Sequence, residues 1–381
     1  MIYYQRTIEK KLKENLFQGK VVIVYGARQV GKTTLMRQLQ GQYPPDITIY
    51  LNADNQDIQD QFNRATNQVA LKDIIGAHKL VIIDEAQKID KIGLKLKILV
   101  DSYPDQQIIA TGSSSFELAS GITEPLTGRN IQFWLYPLSL SEIAMFTSPT
   151  DIRRKLEPFL IYGMYPGVIK NSSTEEKTRD LKTIAQNYLY KDILSFGGLR
   201  KPLALRKLVQ ALALQIGGEV SYNELGVLIG ASKETVMSYI DILEKAFIVF
   251  RLTPFSRNLR KELGKLNKIY FYDIGVRNAV INNLNPLHLR DDKGALWENF
   301  CIAEFKKREN YIADLTKYHF WRTYDQKEID LIEEKEGRLS AWEIKWQGEI
   351  KKSVRREFLN AYVNAELKTI NNQNYMDFLL S

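Results

Sequence analysis

The strongest constraint on this chain is a short one: the apolar run Val21-Val22-Ile23-Val24, followed by Gly26-Ala27-Arg28-Gln29-Val30-Gly31-Lys32-Thr33-Thr34. The spacing is that of a phosphate-cradling loop, G-x-x-x-x-G-K-[ST], and it stands where such a loop must stand, between a buried strand and a helix. Gly26 and Gly31 let the backbone curl so that successive amides face inward, helped by the N-terminus of the following helix. Lys32 suits the β- and γ-phosphates of a nucleoside triphosphate, and the Thr33 hydroxyl suits Mg²⁺. A chance glycine-rich turn would account for the glycines but not for Lys32-Thr33.

A second motif narrows the reading from binding to hydrolysis. Leu80-Val81-Ile82-Ile83-Asp84-Glu85 is an apolar run ending in two carboxylates, and such runs are buried parallel strands. Ligands of open α/β sheets bind at the carboxyl ends of strands. Asp84 is therefore placed to hold Mg²⁺ or its water shell, and Glu85 to orient and deprotonate a water.

Around these motifs, residues 1–150 alternate strands (21–25, 47–51, 80–84, 107–111, 131–135) with helical patterns such as Thr33–Gln40 and Leu94–Ser102. Repeated β-α units predict a parallel sheet covered by helices. Ile108-Ile109-Ala110-Thr111-Gly112-Ser113-Ser114 is another apolar strand with a polar end. If it neighbours the Asp84 strand, Thr111 or Ser113 senses the γ-phosphate. Ser113–Ser115 equally suit an N-cap for Phe116-Glu117-Leu118. Arg129, just before the strand 130–135, is a candidate arginine finger for a neighbouring subunit.

The rest of the chain divides into two further regions. Residues 151–262 read as helical. One helix carries Leu156, Phe159 and Leu160, Tyr162–Gly167 form a turn, and a further helix ends in Tyr188–Ile193. A helix Leu203–Ile216, a capping box at Ser221–Glu224, a turn at Gly230-Ala231, a helix Ser232–Leu243 and a strand Phe247–Phe250 follow the layout of a winged helix-turn-helix. Ser232, Lys233 and Thr235 then open the recognition helix. Arg251, Arg257, Arg260, Lys261 and Lys265 make the wing side basic. The alternative is a winged helix used for packing, which Glu234 on the exposed face favours.

Residues 263–381 turn β-rich, with the strands Lys268–Asp273, Tyr318–Tyr324, Glu328–Ile332 and Ala341–Lys345 and a helix through Trp297–Phe305. Alternation puts Glu343 and Lys345 on one face. With Asp330 on the preceding strand and Glu298 on the helix, three carboxylates and a lysine converge. Such a set serves a metal-dependent phosphodiesterase, or it is simple cross-strand ion pairing.

Composition bounds the remainder. The 381 residues suffice for two or three domains. No stretch approaches roughly 18 uninterrupted apolar residues, so no membrane partner is expected, and the first residues show no signal-peptide core. The expected compartment is the cytoplasm. The single Cys301 excludes an internal disulfide, and the three histidines show no ligand spacing. The net charge of +8 is concentrated in the middle: +1 over 1–150, +6 over 151–264 and +1 over 265–381. That surplus is compatible with DNA and equally with a solvated surface.

Taken together, the loop at 26–33, Asp84-Glu85-Ala86-Gln87, Thr111–Ser115, Leu126-Thr127-Gly128-Arg129, Pro137–Glu142 and the Gly-x-Tyr-Pro element at 163–166 resemble, over essentially the whole chain, the prokaryotic AAA+ ATPases that carry a C-terminal domain of unknown function. The resemblance implies an arginine-finger position for Arg129; acting in trans it would require a partner copy of the chain, and an arginine can also act in cis. The C-terminal part is similar to the PD-(D/E)XK nuclease fold, with Glu298, Asp330, Glu343 and Lys345 on its pattern. The expected fold is thus α/β: a P-loop core (1–150), a helical and winged-helix region (151–262) and a nuclease-like α/β domain (263–381). The expected function is Mg²⁺-dependent ATP binding and hydrolysis coupled to the attached modules. An ATP-regulated DNA endonuclease and a non-catalytic ATP-gated switch are the alternatives.

Overall fold

The computed structural model describes residues 3–113, 126–186, 201–255, 266–312, 316–323 and 325–380. The Ser114-Ser115 end of the cap, the helix end Tyr188–Ile193, the wing-side Arg257, Arg260, Lys261 and Lys265, and Tyr324 lie outside the described residues. The chain forms two compact units, residues 1–137 with 245–247, and residues 138–244 with 248–381.

In the first unit five parallel strands, β1 (Val21–Gly26), β2 (Thr48–Asn52), β3 (Leu80–Asp84), β4 (Gln107–Gly112) and β5 (Asn130–Leu135), pair in the order β2-β3-β4-β1-β5. The three inner strands are buried along their whole length, while the edge strands β2 and β5 keep partly exposed positions. This is why β1, β3 and β4 read as continuous apolar runs and β5 does not. Each fully buried Val or Ile of β1 contributes about 2 kcal/mol through burial. Because β4 inserts between β3 and β1, the carboxyl ends of these three strands open onto one crevice. The helix Lys32–Gln40 buries Leu35, Met36 and Leu39, a 3.6-residue stripe.

The second unit opens with a short helix Leu140–Ala144, closed by a capping box between Ser139 and Glu142. Helices Pro149–Tyr162 and Thr174–Gln186 follow. Then come helix Pro202–Leu214, β6 (Glu219–Val220), helices Tyr222–Ile229 and Lys233–Lys245, β7 (Val249–Pro254) and β8 (Asn267–Phe271). Ser221 caps its helix by accepting from the Glu224 amide at 3.4 Å. The expected strand start at Phe247 is wrong: Phe247 has φ +52°, and the Ile248 amide turns back to Leu243 O at 3.0 Å, so the extended run begins at Val249. The expected turn at 162–167 also ends sooner, because Pro166 opens a short helix Pro166–Ile169.

After helix Lys293–Ile312, β9 (Lys317–Arg322), β10 (Glu328–Lys335) and β11 (Arg338–Ile344) form an antiparallel meander, and β12 (Glu366–Ile370) adds in parallel. A parallel β7–β9 pairing merges everything into one seven-stranded sheet, β12-β11-β10-β9-β7-β8-β6. Its core includes Trp321, Ile329, Ile332, Phe358 and Leu367.

Candidate nucleotide site and carboxylate cluster

The loop after β1 is built as its residue types demand. A Cβ at Gly26 would fall 2.3 Å from Leu135 O, so only glycine lets β5 pass, and Gly31 adopts φ +103°. Ala27 and Val30 are buried, whereas Arg28, Gln29 and Thr34 face outward. The Lys32 ammonium is folded back into the loop, donating to Gly26 O (2.9 Å) and Ala27 O (3.1 Å). Thr33 Oγ1 donates to Asp84 Oδ2 at 2.7 Å.

Asp84, 1% exposed at the end of β3, is the hub of the site. Three hydroxyls converge on it, from Thr33, Tyr50 and Thr111. Thr111 also accepts from the Glu85 amide at 3.2 Å, so the strand neighbourhood that the sequence left conditional is present. Thr111 is the hydroxyl bound to Asp84, and Ser113 lies buried just past the end of β4. Glu85 adopts φ +54°, which aims its side chain off the strand axis, and its carboxylate accepts from Gln87 Nε2 at 2.5 Å. Burial and the Asp84 charge push the Tyr50 hydroxyl above its ordinary range. The Arg37 guanidinium covers the Tyr50 ring at 3.4 Å from its centroid.

Two contributors escaped the sequence reading. Tyr50 reaches Asp84 from β2, and no motif marks it. Arg6, 4% exposed, clamps the loop from the N-terminus, donating to Val30 O (2.7 Å) and Tyr136 O (2.6 Å). Its only signal in the sequence is an arginine beside aromatic residues before the first helix.

Arg129 is not brought to this site. It precedes β5 at the end where Val21 pairs with Asn130, while the loop follows Gly26 at the other end, about 17 Å away along the strand. Its guanidinium rests on Asp101 at 2.6 Å, with both side chains over two-fifths exposed.

In the second unit, Glu298, Asp330, Glu343 and Lys345 do converge. Lys345 Nζ lies 2.9 Å from Glu343 and 3.8 Å from Asp330, and Asp330 Oδ2 accepts from the Ile344 amide at 2.7 Å. The β9–β10 register shifts between Ile329 and Ile332, a bulge that re-aims Asp330. Glu298 accepts from Tyr270 OH (2.6 Å) and Lys268 Nζ (3.2 Å), and Lys268 also bonds Glu328. Burial first, then Glu298 and Glu343, push Asp330 well above the usual carboxylate range, and burial raises Glu343 against the pull of Lys345. Burial works against the Lys268 charge, but Glu298, Glu328 and Asp330 hold it protonated. Lys268, Tyr270 and Glu328 were missed. A lysine inside the apolar strand Lys268-Ile269-Tyr270-Phe271 was the available signal, since a buried cation needs a partner.

The two candidate metal positions differ. Thr33 and Asp84 put two oxygen donors side by side, which suits Mg²⁺, an ion that takes one or two protein oxygens and keeps its waters. In the second cluster Glu298 and Glu328 are bonded to Lys268 and Glu343 to Lys345, Asp330 accepts from the Ile344 amide, and Glu343 Oε2 is buried without a hydrogen-bond partner. Among the described residues no group of three or more His, Cys, Asp or Glu is arranged to hold a metal. As placed, that cluster does not fit a divalent cation.

Of the candidate DNA contacts at the start of helix Lys233–Lys245, Ser232 and Lys233 are exposed and Thr235 is half-buried, with Ser232 Oγ accepting from the Thr235 amide at 3.2 Å. Arg251 is not available to a ligand: it is bound to Asp241 and, at 3.3 Å, to Glu244. No helix among the described residues is long and apolar enough to cross a membrane.

Comparison with known proteins places names beside these parts. Residues 18–144 match the family described as AAA domain, 153–287 a domain of unknown function (DUF8612) and 293–376 a domain of unknown function (DUF4143). The chain is 29% identical over 371 residues to the uncharacterized protein Rv2008c of Mycobacterium tuberculosis, covering 96% of this chain and 79% of that protein. It is 24% identical over 323 residues to the uncharacterized protein MJ1544 of Methanocaldococcus jannaschii, covering 80% and 70%. Among solved structures it is similar to a Walker-type ATPase of Pyrococcus abyssi (TM-score 0.45, 16% identity, 73% of this chain and 96% of that chain). It is also similar to AMPPCP-bound DnaA from Aquifex aeolicus (TM-score 0.27, 17% identity, 62% and 86%). Residues 18–144 thus match an AAA domain, in one chain with two segments that match domains without an assigned role.

Proposed function

We propose that this protein binds Mg²⁺-ATP on the loop 26–34, hydrolyses it, and uses the nucleotide state to drive the attached modules. The observation that carries this reading is the junction of Thr33, Asp84, Thr111 and Glu85 at the carboxyl ends of adjacent strands. In it the loop amides and Lys32 bind the phosphates, with Lys32 leaving the Gly26 and Ala27 carbonyls for phosphate oxygens. Thr33 and Asp84 would hold Mg²⁺, whose charge would offset that of the phosphate oxygens. Glu85 orients a water and takes its proton. Thr111 fixes both acids by bonding the Asp84 carboxylate and the Glu85 amide, and so positions them as a γ-phosphate sensor requires. Glu85→Gln keeps ATP affinity and abolishes turnover; unchanged turnover removes Glu85 from the role of base.

The domain reading that accompanies it is a P-loop core (1–150), a helical and winged-helix region (151–262) and a nuclease-like domain (263–381). The winged-helix reading is supported within 151–262 by the order helix, strand, two helices, strand; the strand that joins β6 and β7 in antiparallel pairing, β8 (Asn267–Phe271), is contributed from beyond that boundary. One observation favours a second activity, cleavage of DNA: the convergence of Glu298, Asp330, Glu343 and Lys345, with acids held above their ordinary range. The cluster as placed does not supply a metal-dependent step, because among the described residues no group of three or more His, Cys, Asp or Glu is arranged to hold a metal. Its test is Lys345→Ala, which removes any DNA cutting and leaves ATP turnover intact. A wild-type protein that cuts no duplex or single strand ends this second reading.

A further inference from the structure

The second unit holds an open concavity of about 420 Å³ that belongs to neither site described above. Helix Pro149–Tyr162 contributes Arg153 and Arg154, the turn Leu287–Leu289 contributes His288, helix Lys293–Ile312 contributes Lys293, and the segment after β11 contributes Trp346. The volume lies within the ~300–1,000 Å³ of small-ligand sites. It has room for one nucleotide unit but not for a duplex.

The nearby acids do not cancel this basic wall. Glu157 accepts from the Leu287 amide at 2.9 Å, and Asp292 is taken by Arg277 and Arg290 at 2.5 and 2.7 Å. Asp151 holds Arg154 at 2.6 Å, but that guanidinium is 77% exposed, so the pair is weak. Among the described residues no carboxylate forms an ion pair with Arg153 or Lys293. The flat element is held in place. The Trp346 ring stands edge-on to the fully buried Trp297 (centroids 5.5 Å, 88°), and the Lys293 ammonium lies 4.3 Å from its centroid. Asn372 adds an amide with both donor and acceptor.

A bare phosphate would need only the cations, and an apolar ligand would need only the indole. We propose that this concavity binds a nucleotide unit, its base stacked on Trp346 and its phosphate paired with Arg153, Arg154 and Lys293. Aromatic platforms with adjacent cations bind bases and backbone in this way. Lys293 and Glu298 share one helix, about 7.5 Å apart along its axis, and Trp346 follows Lys345 in sequence. The concavity shares no lining residue with the carboxylate cluster, so the proposal stands whether or not that cluster cuts. The nucleotide is either part of a single strand or free.

The test measures binding of a fluorescein-labelled fifteen-residue oligothymidylate to the full-length protein by anisotropy from 50 to 200 mM salt, with thymidine 5′-monophosphate as competitor. The exposed pair Arg153→Ala/Arg154→Ala weakens binding at least fivefold and lowers the salt slope by up to about 0.7, the value expected for one phosphate of a single strand. Trp346→Leu weakens it at least fivefold with the slope retained, and Trp346→Phe, which keeps a ring against Trp297, falls between. Competition by the monophosphate, lost in the arginine variant, identifies a free nucleotide as the ligand; failure to compete identifies a strand. Variants that bind as wild type does, or a wild-type protein that binds neither probe, overturn the proposal.

Discussion

Arg6 shows how much of the nucleotide site depends on residues outside its motif. Two buried carbonyls, Val30 O within the loop and Tyr136 O beyond β5, share one guanidinium, and a bidentate cation bond is among the stronger hydrogen bonds. Arg6→Ala leaves both carbonyls unbonded by it and frees the loop from its clamp. The expected result is nucleotide affinity lowered about tenfold, or ~1.4 kcal/mol, in a titration with a fluorescent ATP analogue; unchanged affinity would reduce Arg6 to a packing residue. Lys32, Thr33, Asp84 and Thr111 were legible because each sits in a local pattern that one chemistry explains. Tyr50 and Arg6 were not, since their partners lie 34, 24 and 130 positions away and only the folded sheet brings them together. Lys345 and Glu343 were legible through strand alternation, whereas the lysine that neutralises Glu298 comes from β8, a strand the hairpin pattern does not mention.

At the scale of elements, helix Lys293–Ile312 links three features: Lys293 in the concavity, Glu298 in the carboxylate cluster, and the Glu304–Lys307 pair further along. Lys307 bonds Glu304 (2.8 Å) and Leu138 O (3.0 Å), and Glu304 accepts from the Leu140 amide (2.6 Å), so the start of the second unit is bolted to this helix. Both side chains are almost wholly buried. Breaking a buried pair leaves an uncompensated charge, so Lys307→Ala should cost about 3 kcal/mol in chemical denaturation; a loss below ~1 kcal/mol would mean that water reaches Glu304. The residue just before this helix gives the pH signature. Burial would raise Asp292, but bonds from Arg290 and Arg277 outweigh it and pull the carboxyl down to about 2. A depressed carboxylate contributes stability above its ordinary range near 4, and that contribution is lost as pH falls from ~4 through ~2. Asp292→Asn should therefore be less stable than wild type at neutral pH, with the difference in melting temperature closing toward pH 2. A difference that stays constant with pH refutes the charge as its cause. The sequence placed these elements correctly where periodicity was long, and failed at Phe247, where one left-handed residue turns an apolar run into a corner.

For the whole molecule, the question is whether one chain suffices for hydrolysis. On the proposed reading, the residues that bind ATP and activate water all come from the first unit, and the arginine finger is the one part that does not reach the site. Arg129 stands at the amino end of β5, a strand length away from the loop of its own chain, so action in cis is excluded by geometry. Its present bond to Asp101 is between half-exposed side chains and is worth about 0–1 kcal/mol. A neighbouring phosphate can draw it away at little cost, and such fingers are worth 10³–10⁵ in rate. If Arg129 serves a neighbouring copy, Arg129→Ala and Glu85→Gln should each be nearly inactive alone, because one lacks the finger and the other the base. Mixed together, an Arg129→Ala protomer still offers an intact water-activating site, and a Glu85→Gln protomer still offers an intact arginine. Mixing the two purified variants should therefore restore a measurable fraction of wild-type turnover, rising with total protein concentration. A silent mixture whose subunits demonstrably associate, or an Arg129→Ala protein that turns over ATP at the wild-type rate, would show that this ATPase domain works without a neighbour's arginine.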